Sequence, residues 1–327
     1  MQGVSELKRK HFITLLISLL IITLAYFAVG NYFYNFALNA KGDKDFLVDN
    51  PHLAVNPAVD VVREAEERSK DIVFIEQHTA AGLDIVSKDK LKLKLNANLF
   101  ENGDTNEKWA IVVHGYTSKA NDMTRWVRNF YEQGYHVLAP DLRGHGASEG
   151  EYIGMGWHDR LDLLQWIDVV TAMNPDAEIV LFGVSMGAAT VMMASGEELP
   201  SNVKVIVEDC GYSTVGDVFV YQLDDLFGLP SFPVMNAANT VTKLRAGYDL
   251  FEASAVAQVA KSITPTLFIH GDSDTFVPYE MLDLVYDVAT VEKDKVVIEQ
   301  ASHGDAVKVD PDLYWATIWR FVGQYIE

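Results

Sequence analysis

The longest apolar run of the chain lies close to its N-terminus. Residues 12–30 carry no charged side chain, and an α-helix of this length matches the ~30 Å hydrocarbon core of a bilayer. Residues 8–10 before the run are all basic, and four of the five residues 32–36 after it are aromatic. Basic residues stay on the cytoplasmic side of a membrane, and aromatic rings favour its interface. The pattern predicts a cytoplasmic basic tip over residues 1–11, a single-pass transmembrane anchor over residues 12–30, and a following chain that lies outside the cell.

Two other interpretations of this run stay open. A secretory signal peptide has a shorter apolar core, about 7–15 residues, and a cleavage site of small residues. Residues 28–30 form a passable site of this kind and residues 38–40 a poor one. A helix buried in a protein core is the other alternative, but such a helix normally carries polar side chains on one face. The length of the run and its flanks favour the anchor.

Past the anchor, the pattern changes from a charged helix to strands. We expect residues 31–70 to form a stalk and an entry helix, because residues 58–70 have one charged and one apolar helical face. Strict alternation over residues 91–99 is typical of a strand with one solvated face. The predicted early antiparallel strands are Asp71–Glu76, Leu83–Ser87 and Leu91–Phe100.

The remainder of the chain alternates apolar strands with helical segments. This alternation predicts a mostly parallel sheet with helices on both faces, so residues 71–327 are predicted to form one α/β domain. Its central strands are predicted at Trp109–Val113, Tyr135–Ala139, Glu178–Gly183, Val203–Glu208, Thr266–His270 and Lys295–Ile298. No clear strand occurs at about residues 211–262, and an insertion of this length is expected to act as a lid or binding element.

Composition narrows the class of protein. The formal net charge of -20 argues against nucleic acid as a partner, because phosphate binding needs clusters of Lys and Arg. Cys210 is the single cysteine, so an intramolecular disulfide is impossible. It ends an apolar run and is expected to be a small buried residue rather than a nucleophile. The His and Cys residues have no metal-ligand spacing, and we expect neither a metal nor another cofactor.

One motif points to nucleophilic catalysis. The predicted strand that ends near Gly183 runs directly into Gly-Val-Ser-Met-Gly, residues 183–187, and an apolar helical segment follows. A Gly-x-Ser-x-Gly sequence between strand and helix forms a sharp turn that exposes the serine hydroxyl. Glycines on both sides let the strand and the helix approach closely. Ser185 is therefore the candidate nucleophile.

A serine nucleophile needs a base and an orienting acid. In hydrolases with this turn, the three residues occur along the chain in the order Ser, then Asp or Glu, then His. Asp274 lies in the loop after one predicted parallel strand, and His303 lies in the loop after the next. The carboxyl ends of parallel strands share one edge of a sheet, so these loops should converge on Ser185. Asp272 is the competing acid, although its place after a glycine suits a turn. His270 is expected to pack or to form hydrogen bonds.

The oxyanion of a tetrahedral intermediate needs two backbone N–H donors. The N–H of Met186, directly after the nucleophile, is one candidate, and the N–H of Tyr116, in the loop after the first central strand, is the other. Small and charged residues at 141–148 suit a tight, hydrogen-bonded loop beside the site, with a structural role.

These segments together resemble the α/β-hydrolase superfamily, and within it the serine-aminopeptidase-like and monoglyceride-lipase-like hydrolases. The resemblance spans about residues 75–327 and is carried by residues 114–116, 141–148, 183–187, 270–278 and 302–304. With its N-terminal anchor, the chain looks like the membrane-bound cell-surface hydrolases of Gram-positive bacteria. The resemblance implies an α/β-hydrolase fold and a triad of Ser185, Asp274 and His303. It leaves the substrate open, because this fold hosts many activities.

The expected activity is hydrolysis of a small-molecule acyl ester through an acyl-enzyme, since the predicted lid is apolar. A serine peptidase or amidase of aminopeptidase type is a second hypothesis, and it should require a site for a free amine. A non-catalytic surface-binding module is a third, against which the complete set of Ser185, Asp274 and His303 argues.

Overall fold

A single eight-stranded sheet organises the protein. The computed structural model describes residues 2–78, 80–103 and 107–326. Within them the strand order is β1-β2-β4-β3-β5-β6-β7-β8, with β1–β2 and β2–β4 antiparallel and the other neighbours parallel. The strands are β1 Ala81–Val86, β2 Lys94–Phe100, β3 Lys108–Val113, β4 His136–Pro140, β5 Glu178–Val184, β6 Val203–Asp209, β7 Thr266–Gly271 and β8 Lys293–Ile298. The predicted α/β-hydrolase fold, with a mostly parallel sheet and flanking helices, is confirmed.

Helices cover both faces of the sheet and bury its apolar central strands. The helices are α1 Gln2–Ala37, α2 Val61–Gln77, α3 Thr124–Glu132, α4 Asp159–Met173, α5 Met186–Ala194, α6 Val215–Phe227, α7 Ser231–Arg245, α8 Ala255–Val259, α9 Glu280–Val288, α10 Ala306–Val309 and α11 Pro311–Val322. Helices α4, α5, α8 and α9 pack into one apolar cluster, and α3, α10 and α11 pack into the other. Strands covered on both faces are apolar throughout, as in parallel sheets generally.

The predicted strand Asp71–Glu76 is wrong, because this segment is the second half of helix α2. Its β-branched residues favour a strand locally. Glu64, Glu67 and Asp71, however, are spaced by three and four residues and share one helical face. That face pairs with the two buried arginines of α3, Arg125 and Arg128. The ion pairs and the burial of Phe74 on the same side favour the helix.

Helix α1 extends beyond the expected anchor. Residues 31–37, expected as the start of a stalk, continue the helix without interruption, and Tyr34 and Leu38 are buried in the core of the α/β domain. Residues 12–24 are exposed. They belong to Lys8–Ala37, the one helical segment, among the described residues, that is long and apolar enough to cross a membrane. The helix therefore has an exposed apolar part and a part that packs into the fold.

Residues 39–60, between α1 and α2, lie across the domain and are called the strap below. Asn39 pairs with Tyr152 in an isolated bridge. The imidazole of His52 is hydrogen-bonded to Thr275 Oγ1 at 2.7 Å, and Asn56 donates to the carbonyl of Gln300 at 2.7 Å. The strap therefore contacts the loops that follow β7 and β8.

Three helices, α6, α7 and α8, form most of the range predicted as a lid, about residues 211–262. Thr214 caps α6 by accepting a hydrogen bond from the Asp217 N–H, and the left-handed Gly228 ends it. Helix α7 packs along α1. This arrangement brings α6, α7 and the end of α1 together over the carboxyl edge of the sheet.

Candidate active site

Ser185 stands at a strained turn between β5 and α5. Its backbone has φ 56° and ψ -117°, a conformation that is rare for residues other than glycine. A Cβ on Gly187 would lie 2.1 Å from the carbonyl oxygen of Val113, and one on Gly183 would lie 2.2 Å from that of Gly187. Only glycine fits this close approach of strand and helix. The turn projects the serine side chain from the carboxyl edge of the sheet.

Ser185, His303 and Asp274 form one hydrogen-bonded chain. The distance from His303 Nε2 to Ser185 Oγ is 2.8 Å, and that from His303 Nδ1 to Asp274 Oδ2 is 2.7 Å. A carboxylate only accepts hydrogen bonds, so Nδ1 carries the proton and Nε2 is left to accept from the serine hydroxyl. The loops after β5, β7 and β8 thus meet at one point, as their positions in the sequence predict.

The surroundings of Asp274 keep its side chain ionised as a carboxylate. Its Oδ1 accepts from the backbone N–H groups of Phe276 and Val277, at 3.0 and 2.9 Å. Burial by itself raises the pKa of this carboxyl, but the imidazoles of His303 and His270 outweigh burial and hold it well below its ordinary value. Asp272, the competing acid, is exposed and accepts from Ser273 and from the Gln300 N–H. The structure brings Asp274, and not Asp272, to the histidine.

His270 is a member of the site that the sequence did not identify as one. Its ring is buried, and Nε2 lies 3.2 Å from Asp274 Oδ2 and 3.1 Å from the Val277 carbonyl oxygen. Burial lowers the pKa of this imidazole, but the hydrogen bond to Asp274 raises it above its usual value overall. The acid therefore binds two imidazoles. The prediction that His270 packs or forms hydrogen bonds is correct, but the pattern of strands in the sequence did not indicate that Asp274 is its partner.

The two expected oxyanion donors belong to segments that adjoin Ser185. Met186 begins α5, and the adjoining loop of Tyr116 approaches closely, because a Cβ on Gly115 would lie 3.4 Å from that of Ser185. Among the described residues, neither the Met186 N–H nor the Tyr116 N–H donates a hydrogen bond. His114 orders this loop by accepting from the Leu142 N–H at 3.0 Å. Burial lowers the pKa of His114 to about 3, which keeps that acceptor nitrogen unprotonated.

An apolar cavity of about 100 Å³ adjoins Ser185. Helices α6 and α7 provide one part of its wall, the start of α5 another, and the end of α1 a third. Its aromatic residues form a contact cluster in which Phe227 stands edge-on to Phe33 and Phe36, with ring centroids 5.2 Å apart in both pairs. The cavity suits a hydrocarbon chain, because it offers apolar contact and few polar partners.

A second cavity, of about 270 Å³, opens on the other side of Ser185 and His303. The strap contributes Leu47 and Leu53 to its wall. Asp122 is the one acidic side chain among the described residues that line it, and its carboxylate already accepts from the Ser118 hydroxyl and the Lys119 N–H. The two cavities give space for two substituents of a group that reacts at Ser185.

Two further expectations concern residues next to the site. Cys210 is buried, and burial raises the pKa of its thiol well above the usual value, in keeping with a packing role.

In the loop 141–148, the Asp141 carboxylate accepts from the N–H groups of Ala120 and Ala147, and the Arg143 guanidinium binds Asp162 with two hydrogen bonds. The structural role predicted for this loop is confirmed.

Comparison with known proteins gives a consistent picture. Residues 105–208 match the family described as serine aminopeptidase, S33; this segment contains Ser185 but neither Asp274 nor His303. YqkD, an uncharacterized protein of Bacillus subtilis, is 27% identical over 213 residues, which cover 65% of this chain and 70% of YqkD.

Two solved structures share the fold. The esterase Pf2001 of Pyrococcus furiosus superposes with a TM-score of 0.61 at 24% identity, over 77% of this chain and 93% of the esterase. The acylaminoacyl peptidase of Pyrococcus horikoshii superposes with a TM-score of 0.59 at 16% identity, over 78% of this chain and 43% of the peptidase. Together with the sheet order and the turn at Ser185, these similarities show that the chain has the α/β-hydrolase fold.

Proposed function

We propose that the protein is a membrane-anchored serine hydrolase that cleaves carboxylic esters. The observation that carries this proposal is the hydrogen-bonded chain from Ser185 through His303 to Asp274, which lies beside an apolar cavity. Ser185 Oγ attacks the acyl carbonyl while His303 Nε2 takes its proton. Asp274 keeps the imidazole in the required tautomer and stabilises the imidazolium. The Met186 and Tyr116 N–H groups bind the oxyanion.

The second half of the reaction releases the acid. His303 gives its proton to the leaving alkoxide, and the acyl group stays on Ser185 as an ester. A water molecule then enters and gives a proton to His303 as its oxygen attacks the acyl carbonyl. The resulting tetrahedral intermediate breaks its bond to Ser185 Oγ, which takes the proton back from His303, and the carboxylic acid leaves. The second cavity, on the far side of Ser185, provides room for the departing alcohol and the entering water. The same three side chains thus serve both steps.

A peptidase or amidase is the alternative, supported by the match to the serine aminopeptidase family and by the acylaminoacyl peptidase neighbour. An aminopeptidase needs an acidic partner for the free amine of its substrate. Asp122 is the candidate in the second cavity, where its Oδ2 accepts from the Ser118 hydroxyl and the Lys119 N–H. The apolar lining of the first cavity and the esterase neighbour favour esters.

A matched pair of chromogenic substrates separates the two activities. The free amine of alanine p-nitroanilide would be removed from water without a partner, and an unpaired polar group costs about 1–3 kcal/mol. We therefore expect kcat/KM for p-nitrophenyl butyrate to exceed that for alanine p-nitroanilide by about 100-fold. The Ser185→Ala protein serves as the blank for both substrates. Faster cleavage of the anilide would establish the amidase instead, and cleavage of neither substrate would count against the proposed function.

The membrane anchor is supported by the way α1 is used in the fold. A cleaved signal peptide would end near residue 30 or residue 40, where the sequence has small residues. Cleavage after residue 40 would remove Phe33, Phe36 and Ala37, which line the apolar cavity. Gly30 itself packs against Ala237. A helix that contributes to the active-site cavity is expected to remain part of the mature protein.

We expect the catalytic domain to lie outside the cell, because residues 8–10 are basic and remain cytoplasmic. Protease added to intact, wall-stripped cells should then digest the domain, while a cytoplasmic marker protein stays whole. Deletion of residues 1–30 should leave the protein inside the cell. A native domain protected from external protease would contradict this orientation. A domain free in the medium, with a new N-terminus near residue 31 or 41, would mean a cleaved signal peptide.

A further inference from the structure

The end of the anchor helix is part of the candidate active site. We propose that α1 forms one wall of an acyl-binding cavity that opens toward the bilayer, and that the substrate is an ester-linked lipid of the same membrane. This inference rests on the proposed ester hydrolysis and names its substrate class. The acyl chain would enter between α1 and the lid helices α6 and α7, and its ester carbonyl would come to Ser185.

The first argument is direct contact between α1 and the loop after β3, which contains Tyr116. The Tyr116 hydroxyl donates to the carbonyl oxygen of Ala37, at 2.6 Å, and Ala37 is the last residue of α1. Burial raises the pKa of this phenol, so it remains a donor. Tyr116 also supplies one of the proposed oxyanion donors. The anchor and the loop of Tyr116 are therefore joined by a part-buried hydrogen bond.

The second argument is the lining of the cavity. Phe33, Phe36 and Ala37 of α1 face the same space as Phe227 of the lid and Ser185. At 1.5 Å per residue, residues 33–37 lie about 5–10 Å along the helix beyond Gly30, the end of the uncharged run. A bilayer extends only about 5–8 Å beyond its hydrocarbon core on each side, into the headgroup layer. The cavity wall thus begins where the ester groups of lipids are found.

The third argument is the position of the lid. Gly30 of α1 packs so closely on α7 that a Cβ there would lie 2.3 Å from the carbonyl oxygen of Ala237. The Tyr26 hydroxyl is 2.9 Å from Thr240 Oγ1. Tyr26 and Gly30 belong to the uncharged run, so α7 lies at the level of the membrane surface. A crossing of this kind, with a small residue at the contact, is the usual way in which membrane helices pack closely.

Residues 228–233, which comprise the turn between α6 and α7 and the start of α7, are uncharged, and Phe232 is 76% exposed. Their sequence, Gly-Leu-Pro-Ser-Phe-Pro, offers apolar side chains to its surroundings. At the level set by the contacts of α7, a bilayer interface would cover these side chains. The opening beside α1 would then face lipid rather than water.

Two fluorogenic esters with one leaving group test the cavity wall. They are 4-methylumbelliferyl oleate and 4-methylumbelliferyl acetate, supplied to the full-length protein in phosphatidylcholine vesicles. Because Phe36 contacts the longer chain only, we expect Phe36→Ala to lower the ratio of oleate to acetate turnover at least tenfold. The control is Phe12→Ala, which truncates an exposed phenylalanine at the other end of the span and should leave the ratio unchanged. An unchanged ratio in Phe36→Ala would contradict the role of α1 in the cavity.

The entry route is tested by the location of the substrate. The oleate ester is placed either in the vesicles that contain the protein or in separate, protein-free vesicles at the same total concentration. We expect initial rates at least tenfold higher when protein and substrate share a bilayer. Equal rates would mean that the substrate arrives through water, and would overturn the proposed entry route. Absence of turnover for the acetate ester as well would instead count against the proposed ester hydrolysis itself.

Discussion

Replacement of Ser185 by alanine is expected to abolish ester hydrolysis, with a loss in kcat of about 10⁶, as in subtilisin when its nucleophile is removed. The physical reason is that no other hydroxyl group in the described part of the chain is hydrogen-bonded to His303. Labelling by a fluorophosphonate probe, read on a gel and located by peptide mass spectrometry, should disappear together with turnover of p-nitrophenyl butyrate.

The matched control is Ser273→Ala, which removes an exposed hydroxyl that binds only Asp272. This variant should keep both its labelling and its turnover. Circular dichroism should show Ser185→Ala to be folded, because the change removes one oxygen atom at the surface of a cavity. A label on any other serine, or undiminished turnover in Ser185→Ala, would show that a different nucleophile acts.

Asp274→Asn is expected to lower kcat by about 10⁴, since loss of the orienting carboxylate in a serine protease leaves the imidazole in the wrong tautomer. Here both imidazoles approach Oδ2, whereas Oδ1 accepts from two backbone N–H groups. Either orientation of the amide therefore turns its NH₂ group toward hydrogen-bond donors. Turnover of p-nitrophenyl butyrate and melting temperature should be measured together, because Asp274 also accepts two backbone hydrogen bonds.

Asp272→Asn provides the comparison for this loss. Its carboxylate is exposed and binds the Gln300 N–H and Ser273, so its replacement should change kcat less than tenfold. This figure reflects a surface hydrogen bond, which contributes about 0.5–1.5 kcal/mol. Equal losses in the two variants, or a larger loss for Asp272→Asn, would mean that the wrong acid has been assigned.

The sheet and the meeting of Ser185, Asp274 and His303 were predictable because their signals are local. Each of these residues follows an apolar strand within a few positions, and parallel strands bring their carboxyl ends to one edge. The Gly-x-Ser-x-Gly turn likewise depends on a backbone contact between residues four apart, Gly183 and Gly187. Sequence order and strand pattern contain all of this information.

The errors arose where distant contacts decide local structure. Residues 71–76 have strand-forming side chains, but Asp71 joins a helical acidic face that binds arginines more than 50 residues away. Residues 31–38 follow an apolar run and gave no sign of a binding surface, yet Tyr34 and Leu38 are buried by packing with the lid and the sheet edge. The role of His270 likewise depends on the turn after β7, which brings the carboxylate of Asp274 back to the imidazole of His270.

The buried position of Cys210 makes the natural chain a convenient background for chemical labelling. Maleimides and spin-label reagents attack an accessible thiolate, and this thiol is both enclosed and held protonated by burial. Cys210 is the single cysteine. A second cysteine introduced at Leu20 or at Phe232, which are both exposed, would therefore be the site of all the labelling. The depth of each labelled residue in a bilayer then becomes measurable by quenching, with every native side chain around Ser185 left in place.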